Sequence, residues 1–179
     1  LEIKTEIDNA IQGVLDTSSF IRGPEVGAFE TELAQFLGGS EVLSVANGTD
    51  ALQIALMALG IGPGDEVISP SFTFVATAEA VGLLGATPVF ADILPNTFCI
   101  DPEQIEALVS PKTKAIVPVH LFGQCADMTE ISRISNKYGI PIIEDNAQAI
   151  GSTWKGRFAG TMGDIGTLSF FPSKNLGCY

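Results

Sequence analysis

Ile140-Pro141-Ile142-Ile143-Glu144-Asp145-Asn146-Ala147-Gln148 sets four apolar residues in succession directly before two carboxylates. A strand with one face in water alternates apolar and polar side chains, whereas one that is apolar on consecutive residues is covered on both faces. Ala115-Ile116-Val117-Pro118-Val119 reads the same way. Around these two runs the chain alternates β-rich and helical stretches. Val42 to Ala46 precedes Ala51 to Leu59, Glu66 to Pro70 precedes Val75 to Leu84, and Thr87 to Ala91 precedes Pro102 to Leu108. Ala115 to Leu121 then precedes Met128 to Tyr138, and Ile140 to Ile143 follows. This βα alternation predicts an α/β fold of three αβα layers with a mostly parallel sheet. A last strand is expected at Thr167 to Phe171, after the Gly-rich stretch Gly156 to Gly166.

Upstream, Ile3, Ile7, Ile11 and Val14 recur at helical spacing, and Phe29, Leu33 and Phe36 form a second stripe after Gly23-Pro24. Gly-Pro is a helix-start signal, so residues 1–40 are read as two amphipathic helices and 41–179 as the sheet domain. The chain stops five residues after Lys174 with neither helix nor cap over its last strand, which reads as an unfinished domain.

Composition narrows the function classes. Among 179 residues, 46% are hydrophobic, enough for a sizeable core and against disorder. Nine Lys plus Arg oppose 21 Asp plus Glu, a net charge of −12, and no Lys or Arg occurs between Gly23 and Pro111. Nucleic acid and anionic membranes are therefore not expected partners. The apolar runs are interrupted before the ~20 residues needed to cross a bilayer. Leu1 to Ala10 lacks the basic start and apolar middle of an export signal, so the cytoplasm is the expected compartment. Cys99, Cys125 and Cys178 are odd in number and widely spaced, which predicts neither a disulfide framework nor a metal site.

In open α/β sheets ligands gather at the carboxyl ends of the strands, and four such ends carry chemistry. Asn47-Gly48-Thr49-Asp50 opens an apolar helix: a Gly for close approach, a Thr hydroxyl and free helix-start N–H groups suit a phosphate. An ordinary cap supplied by Thr49 or Asp50 is the competing reading. Phe72 and Phe74 follow the strand ending at Pro70 and suit the face of a flat ligand, or alternatively the core. Asp145 emerges from an apolar strand, where a protonated ring nitrogen would satisfy it, unless it caps a helix. Ser169-Phe170-Phe171-Pro172-Ser173-Lys174 brings a late Lys, whose desolvation would free its amine for imine formation, unless it is simply a solvated charge. Anchor, stacking face, ring-nitrogen partner and amine together are what pyridoxal 5′-phosphate (PLP) requires.

On these segments, with Gly23-Pro24-Glu25-Val26, Gly62-Pro63-Gly64-Asp65-Glu66-Val67 and Phe72-Thr73-Phe74-Val75-Ala76, the sequence resembles the sugar aminotransferases of the DegT/DnrJ/EryC1/StrS family. Leu121 to Asp127 and Leu176 to Tyr179 look like the branch acting on UDP-2-acetamido-2-deoxy-3-oxo-glucuronate. The resemblance implies the large domain of the aspartate aminotransferase fold (fold type I), with the family's C-terminal small domain absent from these residues. It implies that Lys174 forms the Schiff base and moves the proton, and that Asp145 pairs with the pyridinium nitrogen. Phe74 would stack on the ring and Gln148 would lie near its phenolic oxygen, while Gly48, Thr49 and Ser169 would hold the phosphate. Glutamate is then the amino donor, a nucleotide-linked keto-sugar the acceptor, and a homodimer with shared active sites the assembly. Relatives with His at the lysine position dehydrate sugars instead, so a dehydratase is one alternative and a non-catalytic PLP-binding fragment or regulator another. Arg22 is read either as a contact for an anionic substrate group or as a solvated charge. His120, the single histidine, is read either as a cofactor neighbour or as structural.

Overall fold

The computed structural model describes residues 3–178. Leu1 and Glu2, which open the stretch read for an export signal, and Tyr179, which closes the Leu176 to Tyr179 motif, lie outside the described residues. The chain divides into two compact units between Ser44 and Val45.

The first unit holds α1 (Lys4–Thr17) and α2 (Pro24–Phe36). Pro24 occupies the first turn of α2, where a missing N–H costs nothing, and Gly23 stands at its N-cap. α1 ends on Ser18 in the left-handed region. Leu33 is buried, whereas α1 buries none of its residues. The Glu30 carboxylate accepts a 2.7 Å bond from the Ser44 N–H and so ties the end of the unit to α2.

The second unit contains α3 (Gly48–Ala58), β1 (Glu66–Pro70), α4 (Ala76–Leu83), β2 (Thr87–Ala91), α5 (Pro102–Leu108) and β3 (Thr113–Ile116). It continues through α6 (Met128–Tyr138), β4 (Ile143–Asp145), β5 (Thr153–Trp154), β6 (Arg157–Phe158) and β7 (Ile165–Thr167). β1 pairs in parallel with β2 and β3, and β4 in parallel with β7. Parallel bridges Ile116 to Ile142 and Val119 to Asp145 join β3 to β4, giving the order β2-β1-β3-β4-β7. Val67, Ala115 and Ile143 pack with Leu52 and Leu56 of α3 and Val81 of α4. Their neighbours Ile68, Ile116 and Ile142 pack with Ile105 of α5 and Ile131 and Ile134 of α6. Successive residues thus feed opposite helical layers, the physical reason the strands are continuously apolar. By the same alternation Asp145 shares the α3/α4 face with Ile143, and Glu144 shares the α5/α6 face with Ile142.

Several element limits differ from the sequence reading. Val42 to Ala46 carries no strand, because those residues find no ladder partner among the described residues. The run from Ala115 to Leu121 is regular only as far as Ile116, and the ladder of β4 starts at Ile143 rather than Ile140. Pro118 and Pro141 lie in the excluded parts and have no N–H to donate. The strand expected at Thr167 to Phe171 is instead Ile165–Thr167. Its partner β4 ends at Asp145, opposite Thr167, and the chain then turns away. A two-residue turn, Lys155 (φ 50°) and Gly156 (φ 81°), makes a β5–β6 hairpin that the sequence reading does not include.

Gly166 of β7 admits no side chain, since a Cβ there would stand 2.0 Å from the Gly160 carbonyl oxygen. Gly166→Ala is expected to destabilise the fold by about 3 kcal/mol, read as a lower midpoint in denaturant unfolding.

Candidate active site

The site is built on β4. Asp145 is 5% exposed at the carboxyl end of that strand, and its Oδ2 accepts a 2.9 Å bond from the Thr77 hydroxyl of α4. Its Oδ1 accepts from the Ala147 N–H at 3.2 Å. No helix follows, so the capping reading of Asp145 fails. Burial pushes the Asp145 carboxyl above its usual range, opposed by the Thr77 and Ala147 bonds and by the charges of His120 and Lys174. With two donors for about four lone-pair positions, the carboxylate keeps free acceptor capacity.

Glu144, one residue earlier, is fully buried on the opposite face and has its oxygens saturated. Oε2 accepts from His120 Nε2 at 2.7 Å and from the Gly160 N–H at 2.9 Å. Oε1 accepts from the N–H groups of Met162 and Gly163 at 2.5 and 2.6 Å. Burial alone would raise the Glu144 carboxyl, but the His120 bond and the amides of Gly163 and Gly160 outweigh it and hold the group below the usual range. His120 accepts the Ala126 N–H at Nδ1 and directs Nε2 at Glu144. Fully buried and bonded at both nitrogens, His120 follows its structural reading.

The second part lies at the start of α3. Asn47, rather than Thr49 or Asp50, caps the helix: its side-chain oxygen accepts the Asp50 N–H at 2.9 Å. The helix therefore begins at Gly48, three residues before the sequence reading places it. The amides of Gly48 and Thr49 stand in the first turn, where no intrahelical acceptor exists. A Cβ on Gly48 would fall 2.8 Å from Ser169 Cβ and 3.1 Å from its Oγ, so the missing side chain lets the Ser169 hydroxyl approach the helix start. Two free amides, two hydroxyls and the positive end of a helix dipole form an anion cradle that needs no Lys or Arg.

Past Ser169 the chain folds back through bonds from Lys174 N to Phe171 O (2.8 Å), Gly177 N to Lys174 O (2.9 Å) and Cys178 N to Phe170 O (3.0 Å). A Cβ on Gly177 would meet the Pro172 carbonyl oxygen at 2.2 Å, so this return requires glycine. Lys174 is half-buried rather than fully desolvated, and its charge reaches Asp145. Phe72 and Phe74 are 49% and 66% exposed, so neither is core. Gln148 accepts the Phe122 N–H at Oε1 (2.9 Å), which leaves its NH₂ free to donate. Arg22 belongs to the first unit, is exposed, and acts on Glu30.

The geometry thus ties Gly48 to Ser169, and the Lys174 charge acts on Asp145, while Phe74 makes no ring contact with other site residues among those described. Thr77 and Glu144 escaped the sequence reading as individual site residues. The adjacent carboxylates of a doubly covered strand were the available signal, since one must face each layer. Also unanticipated is a row of exposed rings, Phe72 to Phe98 (5.8 Å between centroids) and Phe98 to Phe122 (6.3 Å). The residues fit PLP: a cradle that a side chain on Gly48 would fill, and a buried carboxylate with spare acceptor capacity.

The model of the DegT/DnrJ/EryC1/StrS aminotransferase family matches residues 1–179. The chain is 56% identical over 177 residues to the UDP-2-acetamido-2-deoxy-3-oxo-D-glucuronate aminotransferase of Pseudomonas aeruginosa, covering 99% of this chain and 49% of that one. It superimposes with a TM-score of 0.96 on Streptomyces venezuelae DesV in complex with a ketimine intermediate, at 43% identity, covering 99% of this chain and 48% of DesV. With NtdA of Bacillus subtilis, solved with bound cofactor PMP, the TM-score is 0.90 at 46% identity, covering 98% and 39% of the two chains. The chain spans about half the length of the curated relatives it matches.

Stability measurements separate the two carboxylates. Glu144→Ala, which strands His120 and three amides, is expected to cost about 3–5 kcal/mol in denaturant unfolding. Because the folded-state pKa of Glu144 is lowered, its contribution is present above the unfolded pKa and lost as pH falls through the folded one; Glu144→Gln therefore flattens the acid limb of stability against pH. Asp145 has the opposite sign: its raised folded pKa costs stability once pH exceeds the unfolded value. Asp145→Asn should accordingly raise the melting temperature of the cofactor-free protein at neutral pH.

Proposed function

The chain belongs to the DegT/DnrJ/EryC1/StrS aminotransferase family, and from that footing we propose that the protein is a PLP-dependent aminotransferase delivering the amino group of glutamate to the ketone of a nucleotide-linked sugar. The observation that carries the reading is the buried Asp145 carboxylate, held by Thr77 on one side, open to a further donor, and within the field of Lys174. When bound, PLP supplies an aldehyde that accepts an amino group and a ring that takes up electrons from the substrate carbon.

The chain's own residues do the rest. The Gly48 and Thr49 amides, with the Thr49 and Ser169 hydroxyls, would hold the phosphate, and hydrogen bonds with a helix dipole suffice there without a cation. Asp145 would accept the ring N–H and keep that nitrogen protonated, which a low-dielectric site makes effective. The Gln148 NH₂, free because Phe122 occupies its oxygen, would donate to the phenolic oxygen. Phe74, exposed two residues before α4, would cover one face of the ring. Lys174 Nζ would be the amine that holds the cofactor and the base that moves the proton at the reacting carbon. The expected kinetics are ping-pong, with glutamate first and keto-sugar second. The similarity to the Pseudomonas aeruginosa enzyme supports a UDP-linked 3-keto sugar as acceptor. We further place the enzyme in the cytoplasm as a homodimer with shared active sites; no helix among the described residues is long and apolar enough to cross a membrane.

Lys174→Ala in the full-length protein is expected to abolish the cofactor absorbance that borohydride fixes to the wild type. A variant that still retains it after borohydride removes Lys174 from its role. Product analysis should yield amino-sugar only when glutamate is supplied; a dehydrated sugar would point to the dehydratase instead.

A further inference from the structure

Threonines within helices often return their hydroxyl to a carbonyl of the preceding turn. Thr17 does so to Gly13 O at 2.9 Å and Thr31 to Gly27 O at 2.8 Å. Thr77, 1% exposed in the first turn of α4, sends its hydroxyl across to a strand carboxylate 68 residues away. Its backbone N–H meanwhile reaches the Phe74 carbonyl at 3.4 Å, so one residue joins the carboxylate to the turn that carries Phe74. The other donor to Asp145, the Ala147 N–H, is longer at 3.2 Å, and His120 and Lys174 act on it electrostatically. A hydrogen bond to a charged acceptor is the stronger kind, and in a dry site it also fixes the rotamer of the group that accepts it.

We propose that Thr77 is a positioning residue: its hydroxyl, donating to Asp145 Oδ2, turns the carboxylate so that its free lone pairs face the ring nitrogen of the bound pyridine cofactor. The inference rests on the reading of Asp145 as that nitrogen's partner. Loss of the hydroxyl leaves the carboxylate buried, with one donor fewer and free to rotate, so it weakens both cofactor retention and control of the ring proton.

The test uses the full-length protein, with PLP as probe, and reads PLP affinity and the pH dependence of bound-cofactor absorbance; circular dichroism of the cofactor-free variants establishes folding. Thr77→Val is expected to weaken PLP binding about tenfold and to move the pH midpoint of the absorbance, and Thr77→Ser to restore both. In an Asp145→Asn background Thr77→Val should add nothing. Should Thr77→Val fail to fold, Thr77→Ala, which introduces no new methyl, carries the same expectation. Wild-type affinity and titration in the hydroxyl-less variant, with Asp145→Asn impaired, would overturn the role of Thr77 alone. An Asp145→Asn protein that binds and titrates like the wild type would overturn the Asp145 reading, and the role of Thr77 with it.

Discussion

Two carboxylates in succession on a strand with helices over both faces are the constraint around which this structure is organised. Neither can reach bulk water, and the pleat sends them to opposite sides of the sheet. Glu144, toward α5 and α6, has four donors and no acceptor capacity to spare, and through them it fastens His120 and the Gly160 to Gly163 loop to the strand. That loop lies over Gly166 of β7, the strand that leads on to Ser169 and Lys174. The saturated carboxylate is therefore part of what sets the far side of the site.

Asp145 presents the opposite electrostatic case. Its environment disfavours its charge, and the two donors it has do not make up for burial. A group that lowers stability when charged yet stays in the middle of a packed sheet is a mark of function. Its cost falls on the cofactor-free protein; in the proposed function a cationic ring nitrogen donating to it would relieve that cost and couple cofactor binding to stability. The two carboxylates thus divide between them architecture and chemistry, although they are one residue apart.

The anion cradle follows from the same economy of charge. In a chain with net charge −12, an exposed cation would be the obvious way to hold a phosphate. The start of α3 offers donors without one, since Asn47 has taken over capping and left the Gly48 and Thr49 amides unspent. Only a glycine lets Ser169 come this close, so the cradle depends on an absent Cβ as much as on the donors present.

Much of this was legible from the residues in order. The consecutive apolar runs implied a doubly covered parallel sheet, since a strand buried on both faces has no solvated side on which polar residues could alternate. The helices Pro102–Leu108 and Met128–Tyr138 and the strands Glu66–Pro70 and Thr87–Ala91 lie where periodicity put them. Those signals are local, set by spacing along the chain. The limits at Pro118 and Pro141 and the loss of a strand at Val42 to Ala46 depend on which backbone groups meet a partner, and no short window of sequence contains that partner. The same holds for the site. Asp145, Lys174 and the Gly48-Thr49 pair stand out in the sequence as candidates because their chemistry is visible in the residue type. Thr77 does not, because a threonine becomes notable only when the fold brings its hydroxyl against a buried charge from a distant strand.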